Sequence, residues 1–515
     1  MLSVLLWAPL AFALLLLVAP RVLARWLSVA GALVALAIAI GLVVGYDSAT
    51  AALQHSVDRS WIPELGVRYQ LGIDGISVFL VLMTALLWFA ATLWAALRGE
   101  PGDGRERFYY FLLGVAETAA LGAFLAQDLL LFVLFFDLML VPFFFLIGAF
   151  GDRKRIAATT KMIVYTLVGS LLMLVGAIAT AILVAEQTGA EISFSIDYLR
   201  EHLLASGSQE WIFLCFAAAF LLKMPAFPIH GWMPDAYRAA PLPVLLLLAA
   251  VLSKVGAYGF LRVVLPIFPE ATVTFQELLL VVGVASILYG SVMAFTQTNV
   301  RLIAGYSSIA QLGFITIGIF SLRTDGADGA VLQMVNHGLV VAGMFVVIGI
   351  LYARTRTEDL TEMGGQAMRA PLLAALFLVI TMANLAIPGS ANFIAEFYIL
   401  NGVFQAKIVF ALVAAIGIAL AAFYALRMYQ RTMHNRLPEG AVSRELSLRE
   451  GLVLGPLVAS IVALALWPGL ILDRGEASVE DKVAAVDAAR CESGTSETDA
   501  GYVMVFCDDE TVASR

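Results

Sequence analysis

Residues 211–240 read WIFLCFAAAFLLKMPAFPIHGWMPDAYRAA. From Trp211 to Leu222 the stretch is apolar and suits the interior of a membrane helix. Lys223 then interrupts it, and Pro225 and Pro228 follow at once. A lysine at the centre of a membrane helix costs about 2.5–3.5 kcal/mol on insertion scales. A proline removes a backbone donor and breaks the helix that carries it. A broken membrane helix bearing a buried cation is the mark of an ion site.

The rest of the chain supports a membrane reading. Only 14% of its 515 residues are charged, against roughly 25% in soluble domains. The mean hydropathy is +0.91, and apolar runs long enough to span a bilayer recur along most of the length. A soluble α/β fold cannot bury that much apolar surface. The net charge of −8 does not suggest a nucleic-acid partner. The start, MLSVLLWAPLAFALLLLVAP, lacks a basic segment and a small-residue cleavage site, so it is expected to be a retained first helix. The fold class expected is an all-α polytopic membrane protein.

The hydrophobic runs predict fourteen helices, at about 2–20, 27–46, 72–96, 108–126, 128–150, 160–185, 210–230, 241–265, 276–297, 302–321, 329–353, 370–400, 405–430 and 451–472. Basic residues cluster after the odd ones, as in Arg21 and Arg25, Arg153 to Arg155, or Arg354 and Arg356. Loops after the even ones are poorer in Lys and Arg. The positive-inside rule then puts the odd loops in the cytoplasm and both termini outside.

The seventh helix breaks near Lys223 and the twelfth at Pro388-Gly389, ahead of Glu396. Breaks in corresponding positions point to two inverted five-helix repeats. The organisation expected is helices 1–3 over residues 1–107, repeats over 108–268 and 269–430, a last helix over 431–474, and a polar, acidic extramembrane tail over 475–515. Cys491 and Cys507 in that tail are either an outer disulfide or two free thiols. With Cys215 they form no CxxC or Cys/His cluster, and no phosphate-binding glycine motif occurs, so no metal, cluster or nucleotide site is read.

The costly groups in the apolar runs are Glu117, Asp137, Lys223, Lys254, His337 and Glu396. Burial penalises an ammonium and a nearby carboxylate restores it, so a Lys–carboxylate pair is a two-state device. Asp137 is the expected partner of Lys223, as a proton gate or as a static pair locking two helices. Lys254 would take the proton next; a snorkelling lysine is the alternative, which its long apolar flanks disfavour. His337 would relay to Glu396, because histidine titrates near physiological pH, or would simply pack. Glu396 would be the terminal carboxylate, and Glu117 an inlet or second partner. Asp74 and Asp128 read as helix caps, and His230 and Asp235 either wet a proton inlet or cap helix ends. Tyr306, Ser307, Ser308 and Gln311 would hold water or bond backbone.

Several segments then carry a resemblance. The stretch LLKMPAFPIHGWMPDAYRAAPLPVLLLLAAVLSKVGAYGFLR is similar to the seventh and eighth helices of the antiporter-like subunits of proton-pumping NADH:quinone oxidoreductase. GIDGISVF, LLFVLFFDLMLVPFFFLIGAFG, AGYSSIAQLGF, QMVNHGLVVAGMF and IPGSANFIAEFYIL resemble its M-type branch, over roughly residues 70–430. The resemblance implies a proton path through Asp137, Lys223, Lys254 and Glu396. It implies neighbouring L- and N-type subunits, and FMN, iron–sulfur clusters and quinone in partner subunits only. Two departures stand out: Asp137 replaces the family's usual glutamate, and Gln311 stands where many relatives have histidine. A subunit of a stand-alone cation/proton antiporter is the rival reading, and a structural membrane anchor is a third.

Overall fold

The computed structural model describes residues 1–102, 104–152, 154–436 and 443–492. In chain order the elements are α1 (Leu2–Val18), α2 (Arg21–Val44), β1 (Gln54–Ile62), β2 (Val67–Ile73), α3 (Ser77–Arg98), α4 (Glu106–Leu125), α5 (Leu129–Leu138), α6 (Leu140–Phe150), α7 (Arg155–Thr188), α8 (Ile196–Glu201), α9 (Ser206–Lys223) and α10 (Met233–Ala239). After them come α11 (Leu242–Ile267), α12 (Pro269–Thr274), α13 (Gln276–Thr296), α14 (Val300–Ile319), α15 (Thr324–Thr355), α16 (Pro371–Asn384), α17 (Ala391–Ala406), α18 (Ile408–Met433), α19 (Leu448–Leu466) and α20 (Gly469–Glu492). Among the described residues eleven helical segments are long and apolar enough to cross a membrane, with α5 and α6 counted as one; α1 and α16 are shorter apolar helices.

Burial sorts these helices. The membrane-length windows of α11, α14 and α15 are wholly buried, so they form the centre of the bundle. The flanks of α7, α13 and α18 turn Leu171, Val175, Val281, Leu412 and Phe423 outward, as helices facing hydrocarbon or another subunit must. Loops alternate between two ends. At one end Asp152 N donates to Ala239 O at 2.9 Å, and Arg301 bonds Ala240 O at 2.7 Å and Glu358 at 2.6 Å. At the other, Ile196 N donates to Gln127 O at 3.0 Å, and Gln276 Nε2 to Phe320 O at 2.9 Å. This is the odd/even separation that the basic residues predict.

Several features differ from the sequence expectation. Residues 54–73 form an antiparallel hairpin, with Val57 opposite Leu71 and Arg59 opposite Tyr69, where the sequence suggested only a loop. Its turn closes at Gly66, whose positive φ of 69° suits glycine. The predicted fifth helix is split at Met139; Pro142 lacks the N–H that would bond back one turn. The predicted eighth helix holds two π-helical segments, Leu248–Leu252 and Phe260–Val264, on either side of Lys254. Part of the predicted polar tail is a docked helix. Residues 475–492 continue α20, which buries Val479, Val483 and Val486 on one stripe. The charges on its other face masked that stripe in the sequence. The expected Cys491–Cys507 choice reaches residues outside those described.

Candidate functional site

Lys223 ends α9, one residue before the chain leaves the helix, and is buried. Its ammonium donates to Phe136 O at 2.8 Å and sits 4.0 Å from the centre of the Phe136 ring. Asp137, the expected partner, is half-buried beside it. The two act on each other electrostatically, but among the described residues no carboxylate comes within 4.0 Å of the lysine nitrogen. Asp137 Oδ1 is buried with no hydrogen-bond partner. The acid is thus a through-space neighbour, and the direct bond goes to the main chain one residue earlier. The short reach of aspartate accounts for this.

Lys254 is fully buried in α11. It bonds only within its own helix, to Ala249 O at 3.0 Å and to Ser253 Oγ at 3.3 Å. The preceding π-helical turn widens the helix there, and Ala249 O also accepts from Ser253 Oγ at 2.8 Å. His337 lies against this turn. The residue after it, Gly338, packs so closely that an added Cβ would lie 3.3 Å from Ala250 O. His337 and Lys254 act on each other electrostatically, and neither ring nitrogen of His337 has a partner. The structure therefore brings Lys254 and His337 together.

Glu396 lies in α17, beyond the break at Ile387 to Ser390, where Gly389 takes φ +91°. It is buried, and its Oε1 is unpartnered. Gln311 lies beside its carboxyl group, and Gln333 Nε2 donates to Gln311 Oε1. Next to them, Ser307 Oγ donates to Asn384 Oδ1 at 3.2 Å and lies 3.0 Å from Tyr424 Oη, whose own proton can complete that bond. Asn336 Nδ2 donates to Ala391 O at 2.8 Å. Gln333 Oε1, Asn336 Oδ1, Asn384 Nδ2, Ser390 Oγ and both side-chain atoms of Asn392 remain without partners. Buried polar atoms are normally satisfied by protein or by water, so unmet hydrogen-bonding capacity gathers here around one carboxylate.

Glu117 on α4 is buried with Oε1 unpartnered, and no charged group acts on it among the described residues. It stands apart from the other sites. Asp128 is a cap, accepting from Leu131 N at 3.0 Å. Asp74 accepts from Ser77 N at 2.9 Å, and it also forms a buried ion pair with Arg262 at 2.9 Å. His230 does not cap: its ring lies among Phe227, Tyr289 and Tyr306. Asp235 pairs with Lys161 at 2.8 Å. Ser308 bonds Ala304 O within its helix.

Sequence reasoning missed Arg262, Gln333, Asn336, Asn384, Asn392 and Tyr424. Single amides in apolar runs were the available signal for the Glu396 region. Arg262 gave none, because an arginine near a helix end normally snorkels to water.

Two broken helices, buried Lys, His and carboxylate groups and an apolar flank define an ion-translocating membrane protein of the antiporter type. The chain belongs to the NADH:quinone oxidoreductase/Mrp antiporter transmembrane family, whose sequence profile matches residues 126–421. It is 37% identical over 459 residues to NADH-quinone oxidoreductase subunit M of Rhodobacter capsulatus, covering 87% of this chain and 88% of that one. It is 36% identical over 471 residues to the subunit M of Escherichia coli K12, covering 88% and 91%. Respiratory complex I from Thermus thermophilus contains a chain that superposes with a TM-score of 0.86 at 30% identity, over 94% of this chain and 100% of that one. A chain of the Mrp complex from Dietzia sp. gives 0.82 at 21% identity over 94% of this chain, a likeness of fold.

Proposed function

We propose that this chain is the M-type antiporter-like subunit of a proton-translocating NADH:quinone oxidoreductase. Electron transfer through flavin, iron–sulfur clusters and quinone takes place in partner subunits. This chain moves protons through Asp137, Lys223, Lys254, His337 and Glu396. Residues 108–268 and 269–430 are read as inverted repeats joined at Lys254 and His337.

The observation that carries the reading is the bonding state of the two lysines. Each ammonium is buried and held by main-chain carbonyls, without a carboxylate in contact. Burial works against the charge of such a cation and the carbonyls work for it, so its state depends on what else lies near. A shift of charge nearby, at Asp137 for Lys223 or at His337 for Lys254, tips that balance. The work is bounded: one charge crossing 100 mV costs about 2.3 kcal/mol.

Partner subunits are also implied by the flank. Ile387, Pro388 and Gly389, at the break between α16 and α17, are exposed on the lateral surface. Irregular backbone at membrane depth is stable only where protein or a water-filled cavity covers it. Neighbouring L- and N-type subunits are the proposed cover, in a bacterial inner membrane with both termini outside.

The test is purification of the tagged chain in mild detergent, assayed for NADH oxidation, flavin and iron. A large assembly with all three is expected. A small assembly without flavin or iron that exchanges Na⁺ or K⁺ for protons in vesicles would replace this reading with the antiporter one.

A further inference from the structure

Lys254, Tyr258 and Arg262 follow one another at four-residue spacing along α11. Residues four apart share a helix face, and at 1.5 Å per residue Arg262 lies roughly 12 Å from Lys254. Tyr258 stands between them as the one hydroxyl, donating to Phe124 O at 3.1 Å. Phe220, Phe260 and Phe320 close around this segment edge to face. On the far side of Tyr258 lie Gln127 and Asp74, an amide and a carboxylate that are both buried. Lys254 itself turns towards Ala249 and Ser253, so water bridging it to Tyr258, and Tyr258 to Asp74, would complete a ladder of lysine, hydroxyl and carboxylate down which a proton can leave.

Arg262 stands on that ladder. It is 2% exposed; Nη1 bonds Asp74 Oδ2 at 2.9 Å, and Nη2 contacts Gln127 Oε1. A guanidinium does not give up its proton in a protein, so it cannot serve as a relay step. A second buried cation, Lys482 of α20, acts electrostatically on both Arg262 and Asp74. The other nearby charges lie further out. Asp481 is bound by Arg200 at 2.5 and 2.7 Å and by Lys482 at 2.7 Å, and Asp197 is exposed. The α20 backbone is pinned in place, since Gly75 N donates to Ser478 Oγ at 3.0 Å and an added Cβ on Gly75 would strike Arg474 O. Arg262 and Lys482 thus both act on Asp74, while Lys482 also holds Asp481 at 2.7 Å.

We propose that Arg262, backed by Lys482 of α20, is a charge barrier that stops a proton on Lys254 from leaving along its own helix and directs it to His337. Fixed cations that exclude protons work this way in other membrane pores. The inference rests on the proton-path reading above.

The experiment measures passive proton leak, without NADH, in sealed vesicles containing the whole complex. Arg262→Gln is expected to raise the leak about tenfold, and Arg262→Lys to keep it at the native level. Adding Tyr258→Phe to Arg262→Gln removes the hydroxyl step and returns the leak to native. If Arg262→Gln fails to assemble, Lys482→Gln removes the backing cation, keeps the Asp74–Arg262 pair, and should raise the leak by a smaller factor. A tight Arg262→Gln, or a tight Lys482→Gln where that variant stands in for it, overturns the barrier, as does an Arg262→Lys complex that leaks as much as Arg262→Gln. A leak that persists after Tyr258→Phe overturns the ladder. Because leak is read without turnover, these outcomes are separate from a failure of NADH-driven pumping, which would instead strike the proton-path reading.

Discussion

The break after Lys223 and the break before Glu396 are built on opposite principles. At the first, the ionisable group ends a helix and its proton is held by a carbonyl, Phe136 O, under an aromatic ring. At the second, the ionisable group follows the break and is surrounded by amides, several with unused hydrogen-bonding atoms. At the first site the cation has a main-chain partner and Asp137 Oδ1 is left over; at the second the unused atoms are mostly amide and surround an acid. On the proposed proton path, the first site would hold its proton until a neighbouring charge changes, and the second would exchange through water drawn to those amides.

The sharpest way to break the comparison is Lys223→Ala. It should abolish NADH-driven pumping through this subunit while the complex still assembles. Loss of assembly would make the lysine a structural bond to Phe136 O. Glu396→Gln comes next. Removing a proton-transfer group should slow translocation by roughly 10²-fold, read as protons moved per NADH; an unchanged yield would remove Glu396 from the path. Gln311→Leu should slow it by only about fivefold, the worth of one hydrogen bond, with Gln333 left unpaired. If it is as severe as Glu396→Gln, the amides relay protons and do more than hold water. Asp137→Glu lengthens the acid by one methylene. It should retain pumping and shift its pH optimum, because the longer acid gains direct contact with Lys223. An unaltered pH profile would show that the main-chain bond alone governs that lysine.

The smallest effect is expected at Glu445, outside the membrane. Its carboxylate accepts from the N–H groups of Leu372 and Leu373, the first turn of α16, and of Leu446. Partial burial raises its pKa, but these bonds outweigh burial and hold it below the usual carboxylate range. The stabilisation is present above the unfolded value of about 4.3 and is lost as pH falls through the lower folded value. Glu445→Gln should therefore cost ~1 kcal/mol at neutral pH, a typical cap, and much less in acid. Thermal unfolding at two pH values checks this, and pumping should be unaffected.

Much of this contrast was legible in the sequence. A charge in an apolar run is conspicuous, so Lys223, Lys254, His337 and Glu396 stood out, as did the prolines that break their helices. The Asp137 contact was not legible, because one methylene decides whether a carboxylate touches a lysine or faces it across a gap. The π-helical turns beside Lys254 leave no compositional trace: LLAAVLSK suits an ordinary helix equally well. Arg262 and α20 were obscured for a related reason. A charged residue near a helix end, or in an acidic segment, reads as solvated, and only tertiary packing shows that Arg262 and Lys482 are buried.

The exposed turn at Ile387 to Gly389 also bears on how long an unassembled copy survives. Peptide groups that meet hydrocarbon without a bonding partner cost several kcal/mol each. Ile387 is bonded through its N–H to Met382 O at 3.4 Å and through its carbonyl to Ser390 N–H at 2.9 Å, so what a neighbour would cover on a newly made chain is the stretch at Pro388 and Gly389. The kink that sets Glu396 in place would then also set a time limit on the orphan subunit. Its abundance in the cell should follow the supply of its partners more closely than its own rate of synthesis.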